Sequence, residues 1–353
     1  MAQFAWVGVD VGANQSQVCV TDDHGELLGE AMLPTLASDL VRFVTGIVPD
    51  RSFLIGIESG TIAIPPARDL RKLGCEVKIF DAFQTSRFLG IRQQKTDRND
   101  ARGIAEVARL GRAVSIVHLR AEETQTIRSQ LVIRQNVVAQ RLAMENVLRA
   151  VLRIHGGAPL PWWSASGIRR VVTSELARMC GLGVALDEEV VPLLDLCVAS
   201  RKYVVAADRR LGKLAESIEV CRRWLDIPGV GPITALAFYS GIDDPMRFTD
   251  LASIGPYLGL APRVRQTGNT IRIGRVTKRG DRLVRTQLVL AAGSAMRVKT
   301  DTELKTWALK VKERRGYHRA RTALARKLAT VMLAMWKSGE SFRLTRPQTY
   351  FGA

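Results

Sequence analysis

Three short strand-like runs, "AWVGVDVG", "SQVCVTD" and "LLGEAML", open the chain between residues 5 and 33, joined by turns at "GANQ" and "DDHGE". The second and third form a hairpin. The pattern then changes to alternation. A helix through "LVRFVTGIV" precedes the apolar strand "SFLIGIES" (52 to 59), and "ARDLRKLG" precedes "CEVKIFD" (75 to 81). Strands that alternate with helices after a meander require a mixed sheet with helices packed on it. The expected first domain is therefore α/β, covering residues 1–115.

Beyond it the periodicity is helical. One long helix is expected from Glu122 to Ile154, packing on the first domain, with Ile127, Leu131, Val138, Leu142, Val147, Val151 and Ile154 on a broad apolar face. "HGGAPLPWWSASG" (155 to 167) breaks it with Gly and Pro. In a second long helix Leu193, Cys197, Ser200, Val204, Ala207, Leu211, Leu214 and Ile218 step by fours and threes, the a/d seam of a coiled coil. Its partner is either another helix or a helix of its own chain. Residues 155–222 thus read as linker and coiled-coil helices, and 223–345 as a mainly helical C-terminal domain.

With 353 residues the chain exceeds one ordinary core. Its 52 Lys and Arg against 34 Asp and Glu give a net charge of +18, which points to a polyanionic partner. Nucleic acid fits better than a membrane surface, because the cations run through the chain instead of gathering on one amphipathic helix or tail. No apolar run reaches transmembrane length, and the N-terminus lacks a signal-peptide pattern. Five scattered cysteines without a CxxC pair, and four histidines without zinc spacing, argue against a disulfide framework and a zinc site. A reducing cytoplasm is expected.

Two strands carry an acid where apolar residues surround it. Asp10 follows Val7 and Val9 in "VGVDVG", and Glu58 closes "LIGIES". Such acids are costly without a cation or partner. A third group stands in "KTDRNDARGIAEVARL", where Asp97 and Asp100 are one helical turn apart among Lys95, Arg98, Arg102 and Arg109. Alone, this pair reads first as a helix cap and an acid in the first turn, ahead of chemistry. Together the four carboxylates suit two divalent ions roughly 3.5 to 4 Å apart, the arrangement that stabilises both oxygens of a phosphodiester displacement. All-oxygen ligands point to Mg²⁺. On that reading the neighbouring Lys and Arg meet phosphates.

Downstream, "DIPGVGPITALAFYSGI" resembles a helix-hairpin-helix turn, in which Gly229 and Gly231 let backbone N–H groups approach a phosphate, although a plain turn fits as well. From Arg263 to Arg285 eight basic residues meet one acid. Arg263, Arg265, Arg272, Arg275, Lys278 and Arg279 are the candidate phosphate contacts. Trp162 and Trp163 read as buried at a domain junction, with base stacking as the alternative. "GVDVGANQSQVCV" also looks like the first phosphate loop of sugar kinases and actin-like ATPases, but no second phosphate loop or Gly-rich adenosine pocket follows.

Asp10, Glu58 and "TDRNDAR", followed by "IPGVGPITA" and "LGLAPRVRQTGNTIRIGRVTKRGDRLVRTQL", resemble the DEDD transposases of the insertion-sequence one-hundred-and-ten family, which includes the Piv invertase. The likeness extends to "ARKLATVMLAMWKSGESF". It implies a RuvC-like (RNase H-like) N-terminal domain, a coiled-coil region and a C-terminal transposase domain in a site-specific recombinase. It also implies a structured guide RNA (bridge RNA) that pairs with element-end and target DNA, and a dimer or tetramer in which a C-terminal serine joins another subunit's carboxylates. That serine precedes a glycine after "PR". Here the position holds Thr267, a secondary alcohol able to make the same attack. Ser253, Thr270 or water are the alternatives. Two other functions stay open: a RuvC-like structure-specific endonuclease using metal-activated water, and a nucleic-acid-binding regulator with a degenerate site.

Overall fold

The computed structural model describes residues 4–50, 52–89, 96–111, 114–157, 165–268 and 270–342. They divide into two units, Met1–Leu119 and Arg120–Ala353.

The first unit is a six-stranded mixed sheet in the order β3-β2-β1-β4-β5-β6. The opening meander is β1 (Ala5–Val11), β2 (Gln15–Thr21) and β3 (Leu27–Pro34), each antiparallel to the next. Helix α1 (Ala37–Ile47) returns the chain to β4 (Phe53–Glu58), parallel to β1, and α2 (Ile64–Lys72) returns it to β5 (Glu76–Phe80), parallel to β4. Helices α3 (Ala82–Leu89) and α4 (Asp97–Leu110) follow, then the two-residue β6 (Ile116–Val117), antiparallel to β5.

Strand alternation assigns the faces. Val7 and Val9, Val18 and Val20, Ile55 and Ile57, Val77 and Ile79 form one apolar layer with Leu40 and Val44 of α1 and Leu70 of α2. The opposite face is covered by α4. Ile104, Val107 and Ala108 pack with Leu54 and Phe80, while Ala101 and Ala105 pack over Cys19.

The second unit opens with α5 (Glu122–Ile154), whose bounds are those the periodicity predicts. Within this unit Ile127 and Leu131 join the core with Leu211, Trp224 and Leu236. The expected apolar face is corrected at its C-terminal end, where Val147 and Ile154 are exposed and Leu148 and Leu152 are buried. The stripe passes through Glu145, a fully buried acid that an apolar pattern skips. Its carboxylate accepts from Arg201 at 2.8 Å and from Arg149 at 3.2 Å, the pairing a buried charge needs.

Arg201 belongs to α7 (Asp187–Ser217), which follows α6 (Ala165–Cys180). Arg134 pairs with Asp208 and Glu145 with Arg201, so α5 and α7 run antiparallel. The heptad seam of α7 faces its own chain: Cys197 packs with α5 and α6, and Leu211 packs with Ile127 and Leu131.

Helices α8 (Glu219–Trp224), α9 (Pro232–Ile242) and α10 (Ile254–Tyr257) lead to a two-stranded hairpin, β7 (Pro262–Thr267) and β8 (Thr270–Val276). Helices α11 (Arg282–Ala295), α12 (Glu303–Arg315) and α13 (Tyr317–Ser338) close the unit. Its core centres on Trp224, which is fully buried, stands edge-on to Phe238 and donates its indole N–H to the Met332 carbonyl at 3.0 Å. Among the described residues no helix is long and apolar enough to cross a membrane.

Candidate active site and nucleic-acid interface

Two glycines, each two residues before a strand acid, decide where the acids stand. Gly8 and Gly56 are register partners on β1 and β4. A Cβ on Gly8 would lie 2.0 Å from the Ala101 carbonyl oxygen, and one on Gly56 would lie 3.2 Å from Ile104 and Ala108. Both glycines therefore face α4, and only their lack of a side chain lets the helix come so near. By strand alternation Asp10 and Glu58 face the same helix, one step past the last register pair, Val9 and Ile57.

The direction of α4 brings its acids to the same end. Its later residues Val107 and Ala108 pack near Trp6, whereas Ala101 covers Gly8, so its N-terminus points toward Asp10. One helical turn back from Ala101 is Asp97, and one turn back from Ile104 is Asp100. A turn rises about 5.4 Å, close to the ~6.6 Å of two strand residues that separate Gly8 from Asp10 and Gly56 from Glu58. All four carboxylates thus share one face and one end of the sheet. Asp97 is exposed and Asp100, like Asp10 and Glu58, is half-buried. Asp97 does not cap its helix: Thr96 does, its hydroxyl accepting from the Asn99 N–H at 3.2 Å. As the side chains stand, no three metal-ligating groups close together among the described residues. The donors are hard oxygens on a common face, the right chemistry for Mg²⁺, but they are not drawn into a closed set.

The cations of this stretch correct the expectation that they meet phosphates. Arg98 and Arg102 both pair with Glu30 of β3, at 3.0 and 2.9 Å, and Arg109 pairs with Glu106 at 2.6 Å. They tie α4 to the sheet and to itself. Lys95, Trp162 and Trp163 lie outside the described residues.

In the second unit the candidate nucleophile stands at a hairpin tip. Thr267 is paired with Thr270 across the turn, Gly268 taking a φ of +55°, and both threonines are exposed. Two residues back Arg265 lies directly opposite Arg272, on the same face as the threonines. Like charges facing each other across a ladder repel, so this pair gains from an anion between them. Arg263, Arg265, Arg272, Arg275 and Lys278 line one groove. Arg279 is not among its lining residues; its carbonyl lies 1.9 Å from where a Gly259 Cβ would be, in a turn fixed by Lys278 N–H donating to the Gly259 carbonyl at 3.1 Å. Asp281, next along, caps α11 by accepting from Leu283 and Val284 and pairs with Arg128 at 2.5 Å. The hairpin is thus rooted rigidly and open at its tip. Ser253, the serine among the alternative nucleophiles, donates its hydroxyl to the Asp250 carbonyl at 2.5 Å within a short turn.

The two glycines of the helix-hairpin-helix-like turn separate in role. Gly229 has a φ of +90°, and a Cβ there would stand 2.5 Å from the Ala291 carbonyl and the Ala295 nitrogen. It is a packing residue against α11. Gly231, before α9, faces open space.

Sequence reasoning passed over Gly8, Gly56 and Glu30. For the glycines a signal exists: each acid is preceded by Gly-x in an apolar strand. Glu30 carries none, since its partners are about seventy residues away in the chain.

Comparison with known proteins gives the family. A DEDD transposase family model of the IS110 type matches residues 7–156, and one described as "Transposase IS116/IS110/IS902 family" matches 221–307. The transposase for insertion sequence element IS1111A of Coxiella burnetii is 27% identical over 99% of this chain and 92% of its own length. A probable family 20 transposase of Pseudomonas aeruginosa is 25% identical over 96% of the chain and 98% of its own. The transposase for insertion sequence element IS1328 of Yersinia enterocolitica is 26% identical over 97% and 99%. With two models of one transposase family matching in order, and relatives aligned from end to end, the chain belongs to the IS110 family of DEDD transposases, DNA-cleaving and recombining enzymes.

Proposed function

We propose that this transposase is an RNA-guided, Mg²⁺-dependent recombinase of its own insertion element and that Thr267 is its nucleophile. The observation that carries the reading is the ribbon tip, where Thr267 shares a face with the opposed pair Arg265 and Arg272. A hydroxyl attacks phosphorus only when the scissile phosphate is held beside it, and two opposed guanidiniums are suited to grip its oxygens. In the step proposed, the Thr267 oxygen gives up its proton and forms the bond to phosphorus. The bridging oxygen of the cut strand leaves with its electron pair and takes up a proton, and the DNA stays covalently attached. Attack by the hydroxyl of an incoming strand reverses the step and completes the exchange.

Asp10, Glu58, Asp97 and Asp100 would hold the metal, two ions per site. Bound divalent ions stabilise the attacking and leaving oxygens. The parallel arrangement of β1, β4 and β5 beside an antiparallel meander, with α4 across it, supports a RuvC-like first domain. The family resemblance further implies a guide RNA that chooses sequence by base pairing, and a dimer or tetramer in which one subunit's threonine joins another's carboxylates. The diffuse charge of +18 is in keeping with a protein that grips backbones and leaves sequence reading to RNA.

The test is incubation of the protein with Mg²⁺, the RNA flanking its reading frame and labelled element-junction DNA, followed by a denaturing gel and mass spectrometry. The expected adduct maps to Thr267, disappears in Thr267→Ala and survives in Thr270→Ala. Asp97→Asn and Glu58→Gln abolish cleavage while RNA binding persists. Cleavage without any adduct would establish a structure-specific endonuclease using metal-activated water.

A further inference from the structure

A second basic surface lies apart from the ribbon. Where α12 meets α13 at Gly316, the exposed side chains of Lys310, Lys312, Arg314, Arg315, His318 and Arg319 face solvent with Glu313 as the only acid among residues 310 to 319. An ordinary solvated helix surface intersperses both signs. One turn before the tip the half-buried Lys305 does have an acid, Asp301 at 2.8 Å. Among the described residues none of the five Lys and Arg side chains at this tip is in an ion pair. Nor can the tip spread its charge apart. Leu304 and Ala308 bury the inner face of α12, and Ala320, Leu324 and Ala325 that of α13. The repulsion is built in and is relieved by a polyanion.

The position of the tip indicates which polyanion. Helix α11 is capped by Asp281 at the root of the ribbon, and its Gly293 packs against α13, where a Cβ would stand 3.3 Å from Arg321 and 3.6 Å from Tyr317. Twelve residues of helix span about 18 Å. Duplex DNA rises ~3.4 Å per base pair, so the helix from the ribbon's root to the α13 contact covers the length of about five base pairs. We propose that the α12–α13 tip is a second backbone contact on the same DNA duplex whose phosphate the ribbon holds. This rests on the reading of the ribbon given above.

The test is fluorescence anisotropy of the full chain on element-end duplex DNA between 100 and 400 mM salt, using concentrations set by the titration and not by the protein. The triple variant Lys312→Ala, Arg315→Ala, Arg319→Ala should bind about tenfold or more weakly near 150 mM salt and lower the log–log salt slope by roughly 2 to 3, as loss of three phosphate contacts requires. Its melting temperature should match wild type because all three positions are exposed. Arg315→Lys with Arg319→Lys should retain the slope, since backbone contact counts charges. A triple variant that binds DNA as wild type does, or that loses only RNA binding, overturns the inference. The variant Arg265→Ala, Arg272→Ala, measured in parallel, reports on the ribbon alone: normal DNA binding there counts against the proposed function and leaves the tip to its own result.

Discussion

Gly8 lies so close beneath α4 that a single added carbon would meet the Ala101 carbonyl oxygen at 2.0 Å. That contact sets the height of the helix that carries Asp97 and Asp100 over the strand that carries Asp10. Gly8→Ala is expected to destabilise the protein by about 1–3 kcal/mol, the cost of overpacking, and to lower strand cleavage beyond the loss of folded protein. Gly46→Ala is the control, since nothing lies within 4 Å of a Cβ there. In α1 it should be neutral or stabilise by up to ~1 kcal/mol. Urea midpoints of the two variants, read beside their cleavage rates, check the pair.

Glu30 holds two arginines of the carboxylate-bearing helix at once. Glu30→Gln keeps the shape and removes the charge, leaving Arg98 and Arg102 without their common partner. The expected result is a stability loss of roughly 1–2 kcal/mol, modest because both arginines reach solvent, and a several-fold fall in cleavage. Wild-type cleavage in a Glu30→Gln protein would show that α4 keeps its seat by packing alone.

How far the sequence revealed these features can be judged residue by residue. The meander, both crossover strands and the ends of α5 were legible because hydrophobic period and turn residues are local signals. Asp10 and Glu58 stood out as acids in apolar strands, and their shared face follows from strand alternation once the register is known. What stayed hidden depends on partners distant in the chain. Glu145 looks like a surface residue until Arg201 of α7 is beside it. The arginines around Asp97 read as phosphate ligands until Glu30 is seen to take two of them. Gly229 looked like a phosphate-turn glycine, and only the nearby backbone of α11 shows why no side chain fits.

That last point separates two neighbouring glycines. Gly229→Ala should destabilise the second unit by ~2 kcal/mol or more, through positive φ and overpacking together, with DNA affinity per folded molecule unchanged. Gly231→Ala meets no atom and should leave the melting temperature nearly unaltered. Calorimetry with DNA titration of both variants distinguishes packing from phosphate contact at each position.

Cys221 gives the stability a pH dependence. The side chain is fully buried, and burial pushes its thiol from the ordinary 9 up to about 12. The unfolded thiol ionises near 9 while the folded one keeps its proton. The stability this group contributes is therefore complete below pH 9 and is lost as pH rises from 9 toward 12, by at most ~1.4 kcal/mol per pH unit. Urea unfolding at pH 8, 9 and 10 should show the fall, and Cys221→Ala should make it shallower even though the truncation lowers stability throughout. A thiol reagent at pH 8 should label the exposed Cys180 and spare Cys221 until the chain unfolds.

The β7–β8 ribbon is exposed along nearly all of both strands, on the face of Val264, Ile271 and Ile273 as well as on the arginine face. Only its root is braced, by the Gly259 turn and Asp281. An appendage that takes almost no part in the core can drift in sequence without endangering folding, so on the proposed reading of the ribbon a replacement of its tip hydroxyl or its arginines should lower recombination and hardly change protein abundance. For an engineer, the ribbon is accordingly a cassette: libraries spanning Arg263 to Arg275 should express nearly as well as the parent, and their members should differ in chemistry alone.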